Sequence, residues 1–309
     1  MEKQLHISVS PHIHGNKSTR GVMLDVVIAL LPAAIAGVVL FGLQALFVEL
    51  TCVITAVACE ALFKFLTKQE QTIDDLSAVV TGLLLALNLP ANIPLWQAAV
   101  GSAFAIVVVK CIFGGLGRNI VNPAITGRVF MLIAFGSMTA AVFPNGVDSV
   151  SGATPLTDLA KGEAVELLDL FLGKCGGALG ETSALALLIG GIYLLVRRVI
   201  SWHIPVSFIG VTFVLSLLVE GGNVENALAW IFAGGLFIGA FFMATDYVTS
   251  PVTAKGKLIF GACAGIITVL VRFWGGYPEG VSFAILLMNI VNPYIDSLCT
   301  RKVFGGDKK

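Results

Sequence analysis

The sequence predicts an all-α polytopic membrane protein with about ten transmembrane helices. Hydrophobic residues make up 57% of its 309 residues and charged residues only 12%, whereas soluble domains carry about 25% charged residues. The mean hydropathy is +0.92. Apolar segments of about 20 residues, the length that an α-helix needs to cross a bilayer, recur along the chain. Nothing in this pattern indicates a soluble catalytic domain.

The predicted spans are the apolar segments themselves. They lie near residues 22–42, 44–63, 76–90, 97–116, 123–140, 183–198, 203–219, 227–245, 257–274 and 280–297. The segment at 76–90 is short and ends in Leu87-Asn88-Leu89-Pro90. Asn and Pro at the end of a short span indicate a discontinuous helix that lines a protein cavity rather than lipid.

These spans divide the chain into membrane and loop regions. Residues 1–21 are expected to form a cytoplasmic N-terminal arm, 22–140 a first membrane repeat, 141–182 an extracytoplasmic loop, 183–298 a second membrane repeat and 299–309 a cytoplasmic C-terminal tail. The arm is polar and lacks the apolar stretch of a cleavable signal. The first span is therefore expected to stay in the membrane.

Basic residues predict the orientation of the chain. If the N-terminus lies in the cytoplasm, every inner loop carries Lys or Arg, as the positive-inside rule requires. These residues are Lys3, Lys17, Arg20, Lys64, Lys68, Arg118, Arg197, Arg198, Lys255, Lys257, Arg301, Lys302, Lys308 and Lys309. The outer side then holds Lys161 and Lys174, with Arg272 near a boundary. Lys110 and Arg128 remain inside helices. Both termini are expected to be cytoplasmic.

The two halves of the chain also echo each other. The pentapeptide Asn-Ile-Val-Asn-Pro occurs at residues 119–123 and again at 289–293. Weaker echoes in the same order pair residues 32–37 with 205–210, 82–83 with 235–236 and 113–115 with 274–276. Because an odd number of spans in each half reverses the second copy, the pattern predicts two inverted five-helix repeats. For the repeated asparagines, capping of helices ahead of Pro123 and Pro293 is the plainer interpretation.

Thr154 lies in a polar segment between the spans, Asp148-Ser149-Val150-Ser151-Gly152-Ala153-Thr154-Pro155. Gly152 and Ala153 bring little side-chain bulk, and Pro155 favours an extended backbone at Thr154. The Thr154 hydroxyl is then accessible, which suits modification by another enzyme. An ordinary polar turn is the alternative, because these residue types are common in turns.

Asn88 and Asp246 occupy corresponding places after the third span of each half, near Pro90 and Pro251 respectively. Both are candidates for lining an ion pathway between the halves. Charged side chains such as Asp246 and Arg128 are costly against lipid, so they are expected to point inward or to pair. For Asp246, a position at a cytoplasmic helix end is an equally good interpretation.

Composition also limits the ligands. The formal net charge is +0 and no basic cluster is interleaved with aromatic residues, which argues against nucleic acid as a partner. The cysteines at positions 52, 59, 111, 175, 263 and 299 have no spacing typical of zinc or iron-sulfur sites. Cys111 is the one candidate cluster ligand, with packing in the membrane the favoured role, and His12 and His14 are expected to face water. We predict no metal site.

Several short segments of this chain recur in one known family in the same order. They are Ser10-Pro11-His12-Ile13, Ser18-Thr19-Arg20, Met23-Leu24-Asp25-Val26, residues 81–90, Gly117-Arg118-Asn119, Asn122-Pro123-Ala124, Ser151-Gly152-Ala153-Thr154 and Ala244-Thr245-Asp246. Together they resemble the D subunit of the Rnf electron-transport complex, a family related to the B subunit of the sodium-translocating NADH:quinone reductase. The resemblance covers nearly the whole chain, and in this order and spacing the set is specific.

The resemblance implies a cofactor and its attachment residue. In that family the threonine that ends Ser-Gly-Ala-Thr carries FMN, joined through the flavin phosphate by a separate flavin transferase. This implies Thr154, presented by Ser151, Gly152 and Ala153. Asp148 stands where the motif has an acid, and it either helps to present the segment or is a solvated turn residue. The resemblance also admits a second flavin, noncovalent riboflavin, for which no motif indicates residues.

Arg128 is a candidate partner for the flavin implied by this resemblance. Its guanidinium has the charge to pair with the flavin phosphate or with an anionic reduced ring. A buried structural ion pair is the alternative, because an arginine inside a membrane span needs a partner in either case.

The resemblance also implies the function. FMN links one-electron iron-sulfur carriers to two-electron donors, and the family passes electrons between ferredoxin and NAD while moving Na+ or H+ across the bacterial inner membrane. The implied partners are the A, B, C, E and G subunits of the complex, especially the G subunit, which also bears FMN. The chain would be one subunit of this translocase and not catalytic alone. A channel or carrier for a small solute, with no redox cofactor, is the alternative, because repeat architecture does not separate the two.

Overall fold

The computed structural model describes residues 18–139, 142–144, 154–162, 165–181, 183–275 and 279–299, and all regular elements in these residues are helical. The helices are α1 (Thr19–Phe41), α2 (Leu43–Leu66), α3 (Ser77–Leu87), α4 (Leu95–Cys111), α5 (Pro123–Ala134), α6 (Pro155–Ala160), α7 (Leu167–Leu172), α8 (Ala184–Val196), α9 (His203–Val219), α10 (Val224–Phe232), α11 (Leu236–Met243), α12 (Ala254–Trp274) and α13 (Val281–Leu298). Short 3-10 turns lie at Ile73–Asp75 and Gly136–Thr139. The predicted all-α class is confirmed.

The helices have the composition of membrane spans. Within the described residues, α1, α2, α12 and α13 are long and apolar enough to cross a membrane, and α10 with α11 forms a further candidate span bent by 65°. The apolar helices α3, α4, α5, α8 and α9 are shorter, at 10–17 residues. Exposed apolar side chains such as Ile35, Phe65 and Leu298 suit contact with lipid. The polytopic membrane class is confirmed.

The two copies of the pentapeptide lie at different positions relative to their helices. Asn122 precedes α5 and its side-chain oxygen accepts a hydrogen bond from Ala124 N–H at 3.0 Å. Asn122 is therefore a helix cap, as predicted, with Pro123 in the first turn. The same prediction is wrong for Asn292, because Pro293 lies inside α13 rather than at its start.

These copies nevertheless contact each other. In the amide orientation that satisfies both its oxygen and its nitrogen, Asn289 accepts from Asn122 N–H at 3.1 Å and donates to Ile285 O and Thr249 O, each at 3.3 Å. The Asn122 side chain also donates to Met243 O at 3.3 Å. The repeated sequence therefore marks a junction between the halves instead of two equivalent helix starts.

Helix packing follows the same order in both halves. Helix α2 packs on α3 and α4, and α9 packs on α10 and α12. Between the halves, α1 packs on α8 and α5 packs on α13. These pairs are expected if α1 to α5 of the first half correspond, in order, to α8, α9, the α10–α11 pair, α12 and α13 of the second half. Under that correspondence, the echo between residues 32–37 in α1 and 205–210 in α9 joins non-equivalent helices, so it does not support the repeat.

The segment between the halves packs on the second half. Helices α6 and α7 contribute Leu156, Leu159 and Leu170 to an apolar cluster that includes Ala229 and Trp230 of α10. The main core is a separate cluster to which α1–α5 and α8–α13 all contribute. The region around Thr154 is thereby attached to α10, close to the bend between α10 and α11.

Candidate cofactor and ion site

Thr154 immediately precedes α6 and has an extended backbone, with φ −76° and ψ 153°, as the following proline predicts. The residue is half-buried, and its side chain makes no capping hydrogen bond. Thr154 Oγ1 lies 3.3 Å from Thr157 Oγ1, and the Thr157 hydroxyl donates to Thr154 O at 2.6 Å. The Thr154 hydroxyl is therefore not used to begin the helix. The other residues predicted to shape this segment, Asp148, Ser151, Gly152 and Ala153, lie outside the described residues.

Leu156 anchors this segment on the bend between α10 and α11. It packs with Trp230 and Ala233 at the end of α10. Gly234, in the bend, has φ +71°, and a Cβ atom there would come within 2.6 Å of Leu156 Cδ1. The left-handed backbone therefore favours glycine, and any larger residue would also displace the Leu156 side chain. The candidate attachment residue consequently lies beside a break in a membrane helix.

Arg272 of α12 stabilises the same bend. It is buried and donates hydrogen bonds to Trp230 O and, at 3.2 Å, to Ala233 O. These carbonyls lie at the end of α10, where backbone oxygens lack partners within the helix. Arg272 Nη2 also lies 3.5 Å from the position of a Cβ atom on Gly234. The guanidinium thus supports the surface on which Leu156 packs.

Arg128 of α5 joins the two halves through buried polar contacts. Its Nη2 pairs with Glu181 Oε1 at 2.7 Å and with Glu279 Oε2, and its Nη1 donates to Asn88 Oδ1. Asn88 follows α3 and donates to Leu84 O at 2.6 Å. Two of the predicted site residues, Arg128 and Asn88, are therefore in direct contact. The contacts of Arg128 are those of a buried structural ion pair.

The acids of this cluster lie just before α8 and α13. Burial raises the pKa of Glu279 to about 8, and the charge of Glu181 acts in the same direction, against that of Arg128. Burial of Glu181 acts to raise its pKa, but the positive charge of Arg128 acts in the opposite direction, and the pKa of Glu181 is lowered. One acid thus holds a proton near neutral pH while the other is ionised. A Cβ atom on Gly235 would lie 2.9 Å from Glu279 Oε1, so this cluster reaches the bend that also holds Leu156.

A cavity of about 790 Å³, including its open mouth, lies between the halves. Its walls come from α1, α3, α4, α5, α8 and α11 and the segments that follow α4, α8 and α11, and they are mostly apolar. The polar side chains of the lining are Ser77, Thr81, Lys110, Asn119, Asn122, Thr245 and Asp246, with a hydroxyl from Tyr247. Apolar walls with a few polar groups are the composition typical of binding sites for small organic ligands.

Asp246 lines this cavity, whereas Asn88 belongs to the Arg128 cluster. The Asp246 carboxylate accepts hydrogen bonds from the Thr249 hydroxyl at 3.2 Å and from Val248 N–H at 3.4 Å. Burial raises the pKa of Asp246 above its usual value. The two residues predicted for an ion pathway therefore lie in different environments, one in the cavity and one among buried charges.

Glu60 and Lys110 form a buried ion pair that the predicted site does not include. Their charged atoms are 2.8 Å apart, and Lys110 Nζ also donates to Ser77 Oγ at 2.6 Å, at the wall of the cavity. Glu181 and Glu279 were likewise not predicted. The signal that locates all of these residues is a charged side chain within an apolar span or at its end, because such groups need partners in a membrane.

No group of three or more His, Cys, Asp or Glu in the described parts of the chain could hold a metal ion. Cys111, the predicted candidate for a cluster ligand, is buried with Ala56, Ala78 and Ile106 in a small apolar cluster. Its contacts are those of a packing residue. His12 and His14 lie outside the described residues.

Similarity to a known protein family extends over nearly the whole chain. The model of the NQR2, RnfD, RnfE family matches residues 6–305. This chain belongs to that family. The match to the NQR2, RnfD, RnfE family includes Thr154, the Arg128 cluster and the residues that line the cavity.

Individual relatives in the NQR2, RnfD, RnfE family match at full length. The D subunit of the Na(+)-translocating ferredoxin:NAD(+) oxidoreductase complex from Acetobacterium woodii is 48% identical, over 99% of this chain and 97% of the relative. The D subunit of the proton-translocating complex from Clostridium ljungdahlii is 43% identical, over 97% and 96%. The D subunit of the ion-translocating oxidoreductase complex from Salmonella newport is 38% identical, over 98% and 99%. The resemblance to the D subunit of the Rnf complex is confirmed.

Proposed function

We propose that this chain is a membrane subunit of an Rnf-type ferredoxin:NAD(+) oxidoreductase that moves Na+ or H+, and that it carries FMN covalently on Thr154. The observation behind the proposal is the setting of Thr154 in a chain of this family. Its backbone is extended, its hydroxyl makes no capping hydrogen bond to α6, and Leu156 packs the segment beside the break between α10 and α11. The names of the relatives supply the redox couple, ferredoxin and NAD(+), and the transported ions. The chain acts as part of a complex and is not catalytic alone.

The residues around Thr154 fit a flavin attached through its phosphate. A hydroxyl is the oxygen nucleophile that a phosphoester needs, and the Thr154 hydroxyl does not cap α6. FMN, when bound, supplies both one-electron and two-electron transfer. Thr154 holds the group without accepting electrons, and Leu156 and Arg272 keep the tether in place. Arg128 is already engaged in its own cluster, which favours its structural role over a bond to the flavin phosphate.

The proposed partners are the A, B, C, E and G subunits of the Rnf complex, especially the FMN-bearing G subunit, with a flavin transferase for maturation. We place both termini in the cytoplasm of a bacterial inner membrane and Thr154 on the opposite face, because basic residues concentrate in the loops assigned to the inside. Electrons from a cytoplasmic donor must then cross the membrane before they reach Thr154.

Covalent attachment is tested by expressing the chain with the transferase and comparing Thr154→Ala with Thr157→Ala. The neighbouring Thr157 hydroxyl, 3.3 Å away, makes the second variant a matched control. We expect a fluorescent band on a denaturing gel, and an FMN-sized mass increase on the peptide, for the wild type and Thr157→Ala only. Thr154→Ala is expected to insert normally, because a hydroxyl contributes little apolar burial.

An unmodified peptide from cells that possess the transferase would contradict this proposal. It would favour the alternative, an inverted-repeat channel or carrier for a small solute. Loss of the whole protein in Thr154→Ala would instead contradict the view that Thr154 serves as a tether.

We further propose noncovalent riboflavin as the ligand of the cavity lined by Asp246. The apolar walls suit a flat ring. The hydroxyls of Thr81 and Thr245 donate within the chain, to Ser77 O and Phe241 O, and their oxygens can still accept hydrogen bonds from a ligand. Because Thr154→Ala removes the covalent flavin, any flavin that this variant releases on denaturation is noncovalent. We expect stoichiometric riboflavin from Thr154→Ala and little from a double variant that adds Thr81→Trp to fill the cavity. Absence of released riboflavin from the single variant would contradict the assignment.

A further inference from the structure

Glu49 differs from the other buried acids described in this chain. It lies in α2, within a candidate membrane span, and only 7% of the residue is exposed. Its Oε1 lies 3.6 Å from the position that a Cβ atom would take on Gly37 of α1, and Leu179 O lies 3.4 Å from the same position. The carboxyl group therefore enters the packed space between α1, α2 and the segment before α8.

Glu60 provides the direct comparison, because it lies on the same helix about three turns further along and close to the same face. Glu60 is also buried, but it pairs with Lys110 at 2.8 Å and accepts from the Thr72 hydroxyl at 3.0 Å. Glu49 Oε1 has no hydrogen-bond partner, and no ion pair found among the described residues involves Glu49.

The groups that face Glu49 do not supply a compensating positive charge. Helix α3 has no ionisable side chain, and Lys110 of α4 is held by Glu60. On α1, Arg20 and Asp25 lie near the start of the helix, where Asp25 pairs with Arg197. On α2 itself, the titratable neighbour is Cys52, whose thiol points to Ala98 O at 3.9 Å.

The segment before α8 contributes no free cation either. Lys174 is exposed, and Glu181 pairs with Arg128. A carboxylate at Glu49 would therefore be an uncompensated charge in the membrane interior, which is costly. Protonation removes this charge, since a carboxylic acid is neutral and donates one hydrogen bond.

We propose that Glu49 is a proton-binding site within the membrane, a carboxyl group that stays protonated at neutral pH. The ligand is a proton rather than a metal cation because a cation needs several oxygen ligands, and Glu49 belongs to no group of three or more His, Cys, Asp or Glu in the described residues that could hold a metal ion. The inference does not depend on flavin, so it stands or falls separately from modification of Thr154.

The test is labelling of the full-length chain in native membranes with dicyclohexylcarbodiimide, which modifies protonated carboxyl groups in apolar surroundings. Mass spectrometry of α2 peptides then locates the adduct without the need for a variant. We expect labelling at Glu49 to exceed labelling at Glu60 roughly tenfold near neutral pH and to decline as the pH is raised and the carboxyl group ionises. Glu49→Gln should abolish the adduct, and Glu60→Gln, the matched control, should retain it.

Several results would overturn the inference. One is the absence of an adduct at Glu49 while other carboxyl groups of the complex react. Another is equal labelling of Glu49 and Glu60, which would show that their different partners do not control protonation. Protection by Na+ at constant pH and ionic strength, with choline as the control ion, would identify a sodium ion as the occupant instead of a proton.

Discussion

Asp246 places a carboxylate on the wall of the cavity between the halves. We predict that Asp246→Asn lowers ion uptake by the reconstituted complex about tenfold or more, because a charged group on an ion path contributes directly to the affinity for the ion. Covalent flavin at Thr154 should be unchanged, since Asp246 lies on a different segment. The measurement is uptake of Na+ and of H+ at equal flavin content.

The control for this prediction is Glu225→Gln, which removes an exposed acid from the start of α10. It should leave uptake unchanged. Undiminished uptake by Asp246→Asn would remove Asp246 from the pathway and leave it as a residue that stabilises the turn after α11 by accepting hydrogen bonds from Val248 N–H and the Thr249 hydroxyl.

Glu279 should make stability depend on pH. Because burial raises its pKa from 4.5 to about 8, the folded protein retains a proton that the unfolded chain loses. This stabilising effect is complete below about pH 4.5 and is lost as the pH rises to about 8. We predict that the unfolding temperature in detergent falls with pH across this window and that Glu279→Gln flattens the slope. Equal slopes for the variant and the wild type would show that Glu279 is not the responsible group.

At the scale of elements, the bend between α10 and α11 positions the segment that carries Thr154. Gly234→Ala forces a side chain into the left-handed region, at a cost of about 1 kcal/mol, and brings its Cβ atom within 2.6 Å of Leu156 Cδ1. We predict a several-fold lower rate of FMN attachment to Thr154, because Leu156 must move away from α10. The measurement is flavin incorporation by purified transferase over time.

Gly222→Ala is the matched control for this prediction. Gly222 has φ +92° with nothing within 4 Å of an added Cβ atom, so the variant has the same backbone cost without the collision. It should lower stability slightly and attach flavin at the normal rate. If both variants attach flavin equally fast, the bend does not position Thr154.

At the scale of the whole molecule, Arg128 holds the halves together. Arg128→Leu leaves Glu181 and Glu279 buried without their cation, and breaking a buried pair in this way costs about 3–5 kcal/mol. Asn88→Ala removes the hydrogen bonds to Arg128 and to Leu84 O, each worth about 1 kcal/mol, and leaves both acids with their cation. We predict that thermal unfolding temperatures fall in the order wild type, Asn88→Ala, Arg128→Leu.

Arg128→Lys separates charge from geometry in this cluster. Lysine keeps the positive charge but cannot contact Glu181, Glu279 and Asn88 together, because its donors arise from one nitrogen atom. Its unfolding temperature should fall between those of Asn88→Ala and Arg128→Leu. Unchanged stability of Arg128→Leu would show that the halves are held by apolar packing alone.

Composition and neighbouring residues are enough to predict the class of the molecule and the conformation at Thr154. Each predicted apolar segment contains a helix, because a chain in lipid must satisfy its backbone hydrogen bonds within the segment. The bent α10–α11 pair and the short α3 agree with the discontinuous helices predicted. Pro155 similarly determined the extended backbone of Thr154, since this restriction acts between adjacent residues.

The contacts between polar groups depend on how the helices pack. Arg128 is separated from its partners Glu181 and Glu279 by 53 and 151 residues, and no local pattern encodes such a pairing. Packing also separated Asn88 from Asp246, which hold corresponding places in the sequence, and placed one copy of the repeated pentapeptide inside a helix. The physical reason is that burial, partner and charge state depend on which helix faces pack together, and that is a property of the whole fold.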